Sequence, residues 1–241
     1  MPPYPTWAPY CGPGPTPAEL IGRWNLDPLL LAALAGLTAF AWWRGAPRGP
    51  LAVTVMAATL IFVSPLCAAS SALFAARTVH HVLLLTALAP AIALLRPARE
   101  PKGLWLWTAL QAAALWGWHA PTAYGWALSS DAIYWLMQIT LLGPAVMFWR
   151  AVFASGALVG AGGLAATMVH MGLLGALITF AGQPLYAPHL LTSVSWGLAP
   201  IEDQQLAGLI MWAPAALIYL LAALGRVGGW LELEERARVP V

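Results

Sequence analysis

The sequence predicts an all-α fold: a polytopic membrane helix bundle of seven transmembrane helices, with the N-terminus outside and the C-terminus cytoplasmic. Three observations lead there. Hydrophobic residues make up 61% of the 241 and charged residues 8%, with a mean hydropathy of +0.74, the balance of a chain whose solvent is mostly lipid. Apolar stretches recur at about the 17–25 residues that a spanning helix needs. The connectors between them alternate in charge. Nine of the eleven Lys and Arg residues (44, 48, 96, 99, 102, 150, 226, 236 and 238) fall in every second connector, which the positive-inside rule makes cytoplasmic.

In order, residues 1–27 form an irregular extracytoplasmic leader, rich in Pro and Gly. It lacks the basic start and apolar run of a cleavable signal peptide, and no apolar run precedes Cys11 as in a lipoprotein signal. Cys11 in this leader and Cys67 in an apolar segment lie in different contexts and give no disulfide framework, with a bridge between them left open. The transmembrane domain covers 28–224, with spans at about 28–44, 51–69, 77–95, 103–120, 131–150, 159–181 and 205–224. Pro50, Pro101 and Pro121 mark span boundaries, whereas Pro65, Pro90, Pro144 and Pro214 lie inside spans and predict kinks. Gly172, Gly175, Ala207 and Gly208 would let helices of the sixth and seventh spans approach closely. Residues 225–241 form a cytoplasmic tail with an interfacial Trp230.

The topology sorts the few polar groups. Arg77, His80 and His81 enter the third span from outside, His119 closes the fourth, Asp131 opens the fifth with Gln138 two turns deeper, and Glu202-Asp203-Gln204-Gln205 opens the seventh. His170 sits near mid-membrane between Met168 and Met171. Ionisable groups in spans are costly and mark functional sites. Arg77 and His81, four residues apart, share a helix face, and His80 is rotated from His81 by about 100°. One histidine can therefore face the bundle while the other meets a side partner. Arg77 must snorkel or pair, and Asp203 or Asp131 is the expected acid.

Imidazoles of His80, His81, His119 and His170, with sulfur from Cys67 or Met211, would suit copper, Cu(I) in particular. With no HxxxH pair and no CxxC, such a site must be assembled between helices. A second reading is a b-type haem held axially by His81 with His170 or His119. A third is a cofactor-free scaffold in which Arg77, Asp131, Gln138, Asp203 and Gln204 form a structural polar cluster, with the histidines bonded to Gln138 and Gln205. The chain carries no nucleotide loop and no Ser-based nucleophile motif, and its net charge of +2 argues against nucleic acid.

Several motifs resemble one family. They are Ser64-Pro65-Leu66, Leu73-Phe74, Val79-His80-His81, Ala89-Pro90, Trp118-His119-Ala-Pro121 with Tyr124, Phe148-Trp149, Gln183-Pro184-Leu185-Tyr186 and above all Glu202-Asp203-Gln204-Gln205-Leu-Ala-Gly208 through Trp212. The chain is similar to the multi-spanning CtaG-type cytochrome c oxidase assembly factors, from Trp24 to the seventh span. The resemblance implies a non-enzymatic assembly factor in the bacterial inner (plasma) membrane, helping to mature the copper-containing core of a respiratory oxidase at the outer face. Its implied partners are oxidase subunits or other assembly factors, and lipid. Two positions depart from the family pattern. Its third span opens His-Met-x-x-His, which puts Arg77 and Thr78 where the first His and the Met stand, and Gln138 takes the place of a histidine in the fifth span.

Overall fold

A computed structural model of the chain describes residues 7–96 and 103–238. Among these residues every regular element is helical and there is no strand. Helix α1 (Pro28–Trp43) begins where the Asp27 carboxylate accepts the Leu29 amide at 2.9 Å, with Pro28 in the first turn, where a missing N–H costs nothing. Helices α2 (Arg48–Val63) and α3 (Pro65–Ala72) form one rod bent by 43°. At the bend Ser64 Oγ accepts from the Leu66 amide at 3.2 Å and donates to the Leu60 carbonyl at 2.5 Å. Helix α4 is Phe74–Leu95, α5 Leu104–Trp118, the short α6 Pro121–Ala127, α7 Asp131–Ala154, α8 Ala157–Thr179 and α9 Pro200–Ala237.

All seven stretches expected to span are thus almost wholly helical. Four helices (α4, α7, α8 and α9) are long and apolar enough to cross a membrane, and the bent α2–α3 rod makes a fifth. Helices α1 and α5 have 16 and 15 residues, short of the roughly 20 that a 30 Å core requires. Helix α9 starts five residues before the expected 205 and continues through most of the stretch read as a tail.

The internal prolines are handled in two ways. Pro65 follows the bend after a π turn at Thr59–Val63, Pro90 follows a π turn at Leu84–Leu88, and Pro214 lies within one at Met211–Ala215. A wide turn relieves the clash between the proline ring and the carbonyl four residues back. In α4 the Leu85 carbonyl of such a turn accepts the Trp149 indole N–H from α7 at 2.8 Å. Pro144 sits in α7 without one.

Gly175 of α8 and Gly208 of α9 face each other as expected. A Cβ on Gly175 would lie 2.7 Å from the Gly208 carbonyl oxygen, and one on Gly208 would lie 2.6 Å from that of Gly175. Only hydrogen fits there.

The leader folds back across one end of the bundle, called here the leader end. Cys11 and Cys67 are joined in a disulfide with Cα atoms 5.4 Å apart, correcting the reading that they share no framework. Tyr10 stacks on Tyr134 at 4.9 Å and donates to Asp27 at 2.5 Å, and this hydroxyl holds the Asp27 carboxyl below its usual range. The Trp196 indole donates to the Pro15 carbonyl at 2.9 Å, and Asn25 N–H to the Val63 carbonyl at 2.9 Å. The leader is a strap, tied to α2, α3, α7 and the turn at Trp196.

Candidate functional site

The site is organised by the break between α3 and α4. Leu73 is extended (φ −126°, ψ 134°), so the first amides of α4 have no carbonyl a turn earlier to bond. Asp203, buried at the start of α9, supplies both acceptors: its carboxylate takes the Phe74 amide at 2.7 Å and the Ala75 amide at 3.0 Å. An anion at a helix N-terminus is also favoured by the aligned peptide dipoles. A residue 129 positions away thereby fixes the start of the helix that carries Arg77, His80 and His81.

The ion pair expected for Arg77 is not formed. Asp203 spends its oxygens on α4 backbone, and Asp131 is exposed at the start of α7. Arg77 is fully buried, its guanidinium carbon 5.4 Å from the centre of the Tyr134 ring, and its three nitrogens lack hydrogen-bond partners. A cation over an aromatic face is stabilised by about 0.5–2 kcal/mol, well below the several kcal/mol that burying a charge costs. Burial of Arg77 is therefore costly to the fold.

The two adjacent histidines diverge as their 100° offset requires. His80 meets Phe62 of α2 edge-on at 5.5 Å, and His81 faces His119 at the end of α5, ring centres 5.5 Å apart. His80 and His81 are themselves 5.6 Å apart. His119 Nδ1 lies 2.7 Å from the Leu115 carbonyl; a carbonyl only accepts, so Nδ1 carries the proton and Nε2 presents a lone pair. That Nε2, both nitrogens of His80 and His81, and the Gln138 amide are buried without partners. The histidine bonds to Gln138 and Gln205 expected of a scaffold network are thus absent among the described residues.

Other members of the predicted set lie elsewhere. Cys67 is committed to its disulfide and has no free thiolate. Gln204 pins the loop before α9, accepting from the Leu185 amide at 2.6 Å and donating to the Gln183 carbonyl at 3.2 Å. His170 is half-buried on α8 with both nitrogens unpartnered, and Met211 is buried in the π turn of α9. Among the described residues no group of three or more His, Cys, Asp or Glu side chains is placed to hold a metal ion. The donor set fits copper in part: two facing imidazoles, one with its tautomer fixed by a carbonyl as in metal-binding histidines, next to a buried cation that opposes a second positive charge.

Sequence reasoning overlooked His189. It lies in a turn of the loop between α8 and α9, buried, with Nδ1 donating to the Ala72 carbonyl at 3.2 Å and Nε2 accepting from Tyr124 Oη at 2.6 Å. Burial pushes its pKa down to about 3. With Phe74 stacked on Tyr186 at 3.7 Å, and Tyr186 Oη donating to the His119 carbonyl at 2.9 Å, it roofs the histidine pair. The one signal was the Gln183-Pro184-Leu185-Tyr186 motif close by.

A helical bundle with membrane-length apolar spans, enclosing a histidine and arginine cluster beneath a strapped leader and an aromatic roof, defines an integral membrane protein with a buried polar cluster near one end. The family model for the cytochrome c oxidase caa3 assembly factor matches residues 104–232, more than half of the 241-residue chain. The chain belongs to that family. The matched stretch includes His119, Gln138, His170 and Asp203 and begins after Arg77, His80 and His81. Comparison with curated proteins and with solved structures finds no match.

Proposed function

We propose that this protein is a non-catalytic factor in the plasma membrane that holds copper for a terminal oxidase, with His81 and His119 as the ligands and the leader end facing outward. The observation that carries the reading is the fixed tautomer of His119, which leaves Nε2 free in a buried position 5.5 Å, ring to ring, from His81. Imidazole nitrogens suit copper, and the excess of basic residues at the opposite end of the spans supports an outward leader end. Family membership supports oxidase subunits as partners. Anaerobic titration of the purified protein with Cu(I) tests this. Binding near one ion per chain is expected, lost in the His81→Ala, His119→Ala double variant and retained in His170→Ala. No binding by the wild type, or unchanged binding by the double variant, overturns it.

The buried Arg77 favours a second reading, a cofactor-free scaffold for oxidase subunits. In that case co-purification with the oxidase survives loss of His81 and is lost with Arg77 or Asp203. Haem b ranks last, because no histidine lines the large apolar groove between α1 and α7. An absorbance spectrum without a Soret band retires it.

A further inference from the structure

Helix α1 packs along α2 and stands off α7. Between them runs a groove of about 550 Å³, floored by the C-terminal part of α4. Its walls are almost wholly apolar from Leu30 and Trp135 at the leader end to Val146 near the other. At that other end it is lined by three arginines, Arg44 from the end of α1, Arg96 from the end of α4 and Arg150 from α7, and by no Asp or Glu among the described residues. Arg44 and Arg96 are exposed, and Arg150 is half-buried with its Nε covered and without a hydrogen-bond partner.

Shape and charge each limit the occupant. From Trp135 to Arg150 the groove follows α7 for about 22 Å at 1.5 Å per residue, longer than the roughly 15 Å depth of one leaflet's hydrocarbon. An apolar chain can lie along it at full extension. Three guanidinium groups at one end, with no acid among the described lining residues, favour an anion, and guanidinium matches phosphate with two parallel bonds. Basic pockets between spans at the cytoplasmic side are where anionic headgroups bind. We infer that this groove is a binding site for an anionic phospholipid, its phosphate held by Arg44, Arg96 and Arg150 and one acyl chain lying between α1 and α7. The lipid would add to the packing of α1, which rests mainly on α2. The arginine end lies at the far end of the bundle from the histidines, whereas the other end of the groove reaches Phe62 and Gln138 beside them; the lipid assignment does not depend on the copper reading.

The test uses the full chain in nanodiscs of mixed phosphatidylglycerol and phosphatidylcholine, extracted gently and weighed intact with its bound lipid. Retention of phosphatidylglycerol at least about tenfold above its share of the disc is expected. Each arginine near a membrane surface contributes about fivefold in affinity, so Arg44→Gln with Arg150→Gln brings retention down to about the share of phosphatidylglycerol in the disc. Ala41→Trp, which fills the groove and leaves all three arginines in the chain, removes the bound lipid as well and remains informative if the double variant misfolds. Added inorganic phosphate leaves the lipid in place, since the chain contributes to binding. Equal retention of the two lipids by the wild type, undiminished retention in Ala41→Trp or in the double arginine variant, or displacement by millimolar phosphate would overturn the assignment.

Discussion

Replacing Asp203 with Asn tests whether the start of α4 is held from α9. The two side chains have nearly the same shape, so packing is unchanged and the effect is confined to hydrogen bonding. Asp203 accepts from Phe74 and Ala75 at 2.7 and 3.0 Å in a buried position. Asn has one acceptor oxygen, so one of the two amides would face an NH₂ group. A hydrogen bond to a charged group contributes about 1.5–3 kcal/mol, and the lost interaction with the helix dipole adds about 0.3–1 kcal/mol. The hydrogen bond dominates, and a loss of about 2–4 kcal/mol is expected. For a chain of this length that corresponds to roughly 5–15 °C in the unfolding midpoint. Asp203→Ala, which abandons both amides, should lose about twice as much. The assay is thermal unfolding of the purified protein in nanodiscs, followed by intrinsic tryptophan fluorescence. A midpoint for Asp203→Asn within about 1 °C of wild type would refute the assignment of this carboxylate as the cap of α4, and with it the account of how Arg77, His80 and His81 are positioned.

Two further outcomes follow from the site. Arg77→His removes the opposing cation and places a third imidazole one turn from His81; Cu(I) affinity measured by chelator competition should rise at least about tenfold, equivalent to ~1.4 kcal/mol, and an unchanged or weaker affinity counts against a metal at His81. His189 is held neutral, with its pKa lowered from 6.5 to about 3, so its contribution is fully present above 6.5 and is lost as pH falls between those values. Relative to His189→Gln, the wild type should lose up to about 1.4 kcal/mol per pH unit below 6.5, and parallel stability curves for the two proteins would show that His189 is not buried as described.

Much of the architecture was legible because hydropathy integrates over twenty residues and tolerates local error. The divergence of His80 and His81 followed from helix geometry alone, and the approach of α8 and α9 at Gly175 and Gly208 from small residues on both helices. Contacts set by chain breaks were not legible. Charge complementarity assigned Asp203 to Arg77, but a break at Leu73, which neither Pro nor Gly announces, left two backbone donors that bind the carboxylate with better geometry. The Cys11–Cys67 bridge depends on a leader without periodicity folding back over the bundle, and hydropathy does not report that. His189 escaped for the same reason, since a loop residue acquires its environment entirely from the elements that the loop crosses.

The π turns bear on how the relatives of this chain should be compared. Each is one residue more than an α-helix would use, and one residue turns everything beyond it by about 100°. A helical wheel drawn straight through Leu84–Leu88 assigns the residues after it to the wrong face, and the same holds for Met211–Ala215 in α9. A relative that lacks such a turn would align with a one-residue gap in the middle of a span, where alignment scoring penalises gaps most heavily. Small deletions inside these helices are therefore changes of register in the architecture, and the faces they present should be compared only after the wide turns have been located.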